Sequence, residues 1–138
     1  MLKNDSSYEL FNMIADYMEK GFLDNIIDMF KYDENIYPVI KQLIQDERMR
    51  VRIGAIALVE ALAEINFQGL NDIADSILPL LNSESPTIRG DALHCLSIIG
   101  IEKHIEYIKR LRNDSNAQVR EIAIDAIEDI QNRRNNTI

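Results

Sequence analysis

The chain has 138 residues, 46% of them apolar and 28% charged, with five Gly, three Pro and a formal net charge of −8. This length suits one domain with one continuous core, and so little Gly and Pro excludes a disordered or turn-rich chain. Residues 1–66 hold twelve acidic and seven basic side chains and residues 67–138 eleven and eight, so neither half is basic enough to favour nucleic acid as a partner.

In chain order, the opening Met1-Leu2-Lys3-Asn4-Asp5 lacks the basic and apolar regions of a secretory signal. Leu10, Phe11, Ile14 and Met18 then form one amphipathic stripe, and Phe22, Leu23, Ile26, Ile27 and Phe30 a second. We read 7–32 as a degenerate hairpin capping the amino-terminal end, since terminal repeats are usually atypical. Next come an amphipathic stretch at Ile36–Ile44, in which Pro38 begins or kinks a helix, and a long apolar helix pattern from Asp46. Glu60 and Glu64 interrupt its apolar run well short of the roughly 20 residues of a membrane span. Leu70–Leu81, containing Pro79, and Ile101–Leu111 are further amphipathic stretches, each followed by a longer helix. Gly21, Gly69 and Gly100 fall where helices should end, and Pro86 falls near a helix start. The tail 133–138 is polar and expected to fray.

Three segments superpose: DERMRVRIGAIALVEAL from Asp46, SESPTIRGDALHCLSII from Ser83 and DSNAQVREIAIDAIEDI from Asp114. Each has a β-branched anchor (Val51, Ile88, Val119), then Arg (Arg52, Arg89, Arg120), and Ala three residues later (Ala55, Ala92, Ala123). Apolar residues eight and eleven places past the anchor complete one helical face. The anchors lie 37 and then 31 residues apart, and periods in the thirties mean stacked helix–turn–helix units at 34–66, 70–100 and 101–132.

This pattern resembles the HEAT repeat: Pro38, Asp46, Val51, Arg52 and Ala55 stand at that family's spacing. Asp114, Val119, Arg120 and Ala123 repeat it, with Glu106 in place of the proline, and the middle unit offers Ser83 instead of the turn Asp. The resemblance implies an all-α chain forming a right-handed α–α superhelix, or solenoid, of about four stacked hairpins. It also implies a non-enzymatic module that binds a protein or peptide. An accessory factor or enzyme, similar to the bilin lyases or DNA-alkylation repair proteins of HEAT-like type, is the alternative, and a self-associating structural piece is a third reading. The expected location is the cytoplasm, in agreement with a single cysteine, Cys95.

We read Arg52, Arg89 and Arg120 as a structural ladder reaching the turn carboxylates Asp46 and Asp114, in preference to a phosphate-binding row. In HEAT-like solenoids the second helices line the concave surface. Positions two, six and nine past the anchor point away from the core: Ile53, Ala57 and Glu60; Gly90, His94 and Ser97; Glu121, Asp125 and Glu128. This strip, apolar at one end and acidic at the other, would suit a partner with a basic segment. Asp91, His94 and Cys95 are close in sequence, but Cys95 falls on the packed face with His94 about 100° away around the helix, and His104 stands isolated, so no catalytic, metal or cofactor site is expected.

Overall fold

The computed structural model describes residues 2–136, with side chains described from Ser7 onward; the amino-terminal residues bearing on a secretory signal are therefore described only as backbone from Leu2, and 137–138 of the polar tail lie outside. Among the described residues eight α-helices follow one another: α1 Leu2–Glu19, α2 Leu23–Tyr32, α3 Val39–Ile44, α4 Met49–Glu64, α5 Leu70–Ile77, α6 Pro86–Ile99, α7 Glu102–Ile108 and α8 Ala117–Asn136. They pair as hairpins. The second helices stack in the order α2, α4, α6, α8, and the first helices in the order α1, α3, α5, α7, so the chain is an all-α solenoid.

The repeated spacing dictates the core. Val51, Ala55, Val59 and Leu62 of α4 are buried along one face, as are Ala92, Leu96 and Ile99 of α6 and Val119, Ala123 and Ile130 of α8. From α1 and α2, Ile14, Ala15, Met18, Ile26 and Phe30 join the same cluster. Phe30 meets Phe67, in the α4–α5 connection, edge to face at 6.0 Å. The small residues permit close approach: a Cβ on Gly90 would lie 3.3 Å from Ile122.

Helix ends depart from the sequence expectation in instructive ways. Of the three glycines expected at helix ends, Gly21 alone takes the left-handed conformation (φ 84°) that ends a helix. Asn66 (φ 53°) does so for α4, and Gly69 instead precedes α5. Gly100 is extended, and its lack of a side chain serves packing, because a Cβ there would lie 2.5 Å from the Leu96 carbonyl oxygen. Pro38 begins α3 rather than kinking it. The stretches Leu70–Leu81 and Ile101–Leu111 each change from α-helix to a 3-10 turn, over Leu78–Asn82 and Lys109–Asn113. Pro79 lies in the first of these turns, where its missing N–H is tolerated. At the other end α8 does not stop at Arg133: that side chain donates to the Ser97 and Gly100 carbonyls at 2.7 and 2.6 Å, and helix continues to Asn136.

Turn geometry repeats three times. Asp46 Oδ1 accepts the Arg48 N–H at 2.9 Å, Ser83 Oγ the Ser85 N–H at 3.2 Å and Asp114 Oδ2 the Asn116 N–H at 2.9 Å, so Ser83 keeps the local duty of the missing Asp. Arg52, Arg89 and Arg120 each donate Nη1, at 2.8 Å, to the backbone carbonyl six residues earlier: Asp46, Ser83 and Asp114. The ladder thus differs from the expectation, because within its own turn each Arg meets a carbonyl and not a carboxylate. Arg89 Nη2 additionally reaches Asp114 Oδ2 of the following turn at 2.9 Å. Arg52 has uncharged Ser83 in the corresponding place and approaches Asp91 at 3.9 Å instead. Asp46 is gripped by Arg48, which also pairs with Asp16 of α1 at 3.0 Å.

Arg89 and Asp114 are 12% and 8% exposed, so breaking their pair strands a largely desolvated charge. Arg89→Ala is expected to lower the unfolding free energy by about 3 kcal/mol; an unchanged denaturation midpoint would contradict the structural role. The Arg89 guanidinium holds the Asp114 carboxyl below its ordinary value of 3.8. A depressed folded pKa contributes stability above the unfolded value that is lost as pH falls through the folded one. Thermal scans between pH 5 and 2 should therefore show a steeper decline for wild type than for Asp114→Asn, and parallel curves would refute the linkage.

Candidate functional site

The second helices expose a continuous row beside the buried stripe, because residues two, six and nine past each anchor fall on one helical line. Ile53 is 59% exposed and Glu60 is exposed, with Ala57 half-buried between them. On α6, Gly90 is buried, His94 exposed and Ser97 half-buried. Glu121, Asp125 and Glu128 of α8 are all exposed.

Two shallow hollows lie between α6 and α8. One, of about 270 Å³, brings together His94, Ser97 and Asp125 with Ile122, Ala126 and Asp129. The other, of about 240 Å³, runs from Pro86 and Gly90 to Asn116 and Gln118, past Asp91 and Ile122. Ile122 floors both. Neither hollow is lined by Ile53, Ala57 or Glu60 of α4, or by Glu121 and Glu128, which stand on open helix surface. Asp91, Ile122 and Asp129 were not among the expected strip residues; they sit three and ten places past the anchors, the adjacent helical line, and that offset was the available signal.

Charge on this surface is mainly negative. Glu60, Asp91, Glu121, Asp125, Glu128 and Asp129 contribute carboxylates, with Arg52 3.9 Å from Asp91. Burial raises the Asp91 carboxyl above its ordinary range, against the opposing pull of Arg52 and His94.

Cys95 and His94 behave as separate groups. Cys95 is fully buried, and burial, with Asp91 and Glu60 adding repulsion, pushes its thiol up to about 12. It is a packed thiol at neutral pH and not a nucleophile. His104, expected to stand alone, is instead fully buried at the register that Ile36 and Ile73 occupy in the other repeats. Its Nδ1 accepts the Ile101 N–H at 2.9 Å, so Nε2 carries the proton toward Asp75 Oδ1 at 2.8 Å. That bond, with Lys103 beside it, lowers the Asp75 carboxyl and ties α7 to α5. Among the described residues no group of three or more His, Cys, Asp or Glu side chains is placed to hold a metal ion. Nor is any described helix long and apolar enough to cross a membrane.

A family model described as HEAT repeats matches residues 36–128. Among solved structures, the crystal structure of an engineered protein from the Northeast Structural Genomics Consortium is similar, with a TM-score of 0.51 and 19% identity over 79% of this chain. This chain spans half of that protein's length, and at such identity the likeness shows the fold alone. No curated protein matches it.

A disulfide reagent at pH 8 should modify Cys95 only as fast as the chain unfolds, with immediate reaction in denaturant. Rapid labelling of the native protein would contradict the buried, protonated thiol.

Proposed function

The chain belongs to the HEAT-repeat family, and from that premise we propose that it is a protein-interaction module that holds a basic segment of a partner protein along the exposed row of α4, α6 and α8. The observation that carries this reading is the predominance of carboxylates on that surface: six on three stacked helices, with Arg52 3.9 Å from Asp91. Like charges aligned this way repel one another, and a cationic segment laid across them relieves that repulsion and is steered toward them.

The row also has direction. Ile53, exposed among Gly54 and Ala57, offers an apolar seat at the α4 end, and the α6–α8 hollows offer carboxylates around the Ile122 floor. A segment carrying an aliphatic side chain followed by Lys or Arg residues matches both ends. Arg52, Arg89 and Arg120 take no part in recognition on this reading, since each is engaged with a turn carbonyl. The fit supports a binding role and calls for no bond-making chemistry, because Cys95 is shielded and His94, at the rim of a shallow hollow, lies on a different face from it.

Fluorescence anisotropy with a labelled peptide of alternating Leu and Arg/Lys residues tests the reading. Binding should weaken as salt rises, and joint substitution Glu121→Lys, Asp125→Lys and Glu128→Lys should weaken it at least about tenfold, equivalent to about 1.4 kcal/mol. Equal affinity for wild type and the triple variant, or no binding by wild type, would overturn it.

A further inference from the structure

We propose that the recess beside Gly90, between α6 and α8, is an arginine seat: it receives the guanidinium of one arginine of the partner segment, held by the Asp91 carboxylate over Ile122. This rests on the acidic-row reading above and names the residue type that anchors it.

The recess exists because one side chain is missing. Two places past the anchors, α4 carries Ile53 and α8 carries Glu121, whereas α6 carries Gly90. Gly90 is buried against Ile122, whose Cδ1 would lie 3.3 Å from an added Cβ, so a larger residue would take up the space between the two helices. The resulting hollow of about 240 Å³ has Thr87, Asn116 and Gln118 on its walls and Val119 and Ile122 as apolar surface. Among the described residues that line it, Asp91 is the one with a charge.

The Asp91 carboxylate is short of partners. Its side chain is 28% exposed, and among the described residues no hydrogen bond reaches it. Arg52 Nε stands 3.9 Å away, beyond hydrogen-bond distance, and Nη1 of the same guanidinium is committed to the Asp46 and Glu47 carbonyls at 2.8 and 3.0 Å. A half-desolvated carboxylate without a donor costs free energy. Burial accordingly raises this carboxyl, although Arg52 and His94 pull it the other way. A donor entering the recess recovers that cost.

The lining selects a guanidinium over an ammonium. An ammonium is a compact, strongly hydrated charge, and the apolar side of this hollow offers it nothing in exchange for its water. A guanidinium is more weakly hydrated, and its planar fork matches a carboxylate in bidentate fashion. Here the fork meets Asp91, the flat face lies on Ile122, and the Thr87 hydroxyl and Gln118 amide oxygen stand on the same walls to accept remaining N–H groups. Asn116 contributes less, because its Oδ1 already accepts the Val119 N–H at 3.1 Å. Glu121, Asp125 and Glu128, on open surface, attract Lys and Arg alike.

Two labelled peptides, identical except that every basic position is Arg in one and Lys in the other, read the seat by fluorescence anisotropy with the whole chain. Wild type should bind the Arg peptide about tenfold more tightly than the Lys peptide. Asp91→Asn keeps the size of the side chain, and Gly90→Ile fills the recess with the residue α4 carries at that register. Each variant, with a helical circular-dichroism spectrum like that of wild type, should abolish the preference. The triple Glu121→Lys, Asp125→Lys, Glu128→Lys variant should weaken both peptides and leave their ratio unchanged. Equal affinity of the two peptides for wild type, or a preference that survives Asp91→Asn, would overturn the seat and leave the acidic row standing. Binding of neither peptide would overturn both.

Discussion

Each helical hairpin carries an apolar stripe that it cannot bury by itself, so its stability is inseparable from its neighbours, and the Arg89 side chain is where that dependence becomes a specific bond. One guanidinium group closes the turn of its own repeat through the Ser83 carbonyl and grips the turn of the next through the Asp114 carboxylate. The planar fork of arginine serves two acceptors in a fixed geometry, which a lysine ammonium would not do. Apolar burial along Val51, Ala92, Val119 and their partners supplies the attraction, being non-directional, and the guanidinium bridge supplies register. The order in which α4, α6 and α8 present their outer residues follows from that register.

Much of this was legible in the sequence because the information is periodic. The anchors, the following arginines and the small residues recur with helical spacing, and the packed face they imply is the one the structure buries. What could not be read was which partner each polar group would choose among near neighbours. The arginines were expected to meet turn carboxylates, but the carbonyl six residues earlier is nearer, and a carboxylate enters only where the following turn supplies one. Ser83 shows the two duties of the turn residue separated: its hydroxyl still accepts a backbone N–H, while the inter-repeat charge pair is lost and Arg52 turns toward Asp91. His104 was hidden for a related reason. A histidine at an isoleucine register looks isolated along the chain, and its acceptor, Asp75, lies in the preceding hairpin 29 residues away.

The candidate surface was partly visible on the same grounds. Positions two, six and nine past each anchor mark one helical line correctly as lying outside the buried stripe, apart from Gly90, which α8 covers through Ile122. The hollows between α6 and α8 depend on where two helices approach one another, and a single-helix projection does not contain that distance. Ile122, Asp91 and Asp129 therefore emerge only in three dimensions. Together they turn a stripe of separate carboxylates into a mainly acidic surface with an apolar floor.

If stacking of the second helices creates one acidic binding row, residue-level mapping reveals it most directly. A titration of the isotopically labelled chain with an arginine-rich amphipathic peptide, followed by amide chemical shifts, should perturb a contiguous path through Ile53, His94, Ser97, Ile122, Asp125 and Asp129. Perturbations confined to α5 and α7, or scattered without a path across α4, α6 and α8, would contradict it.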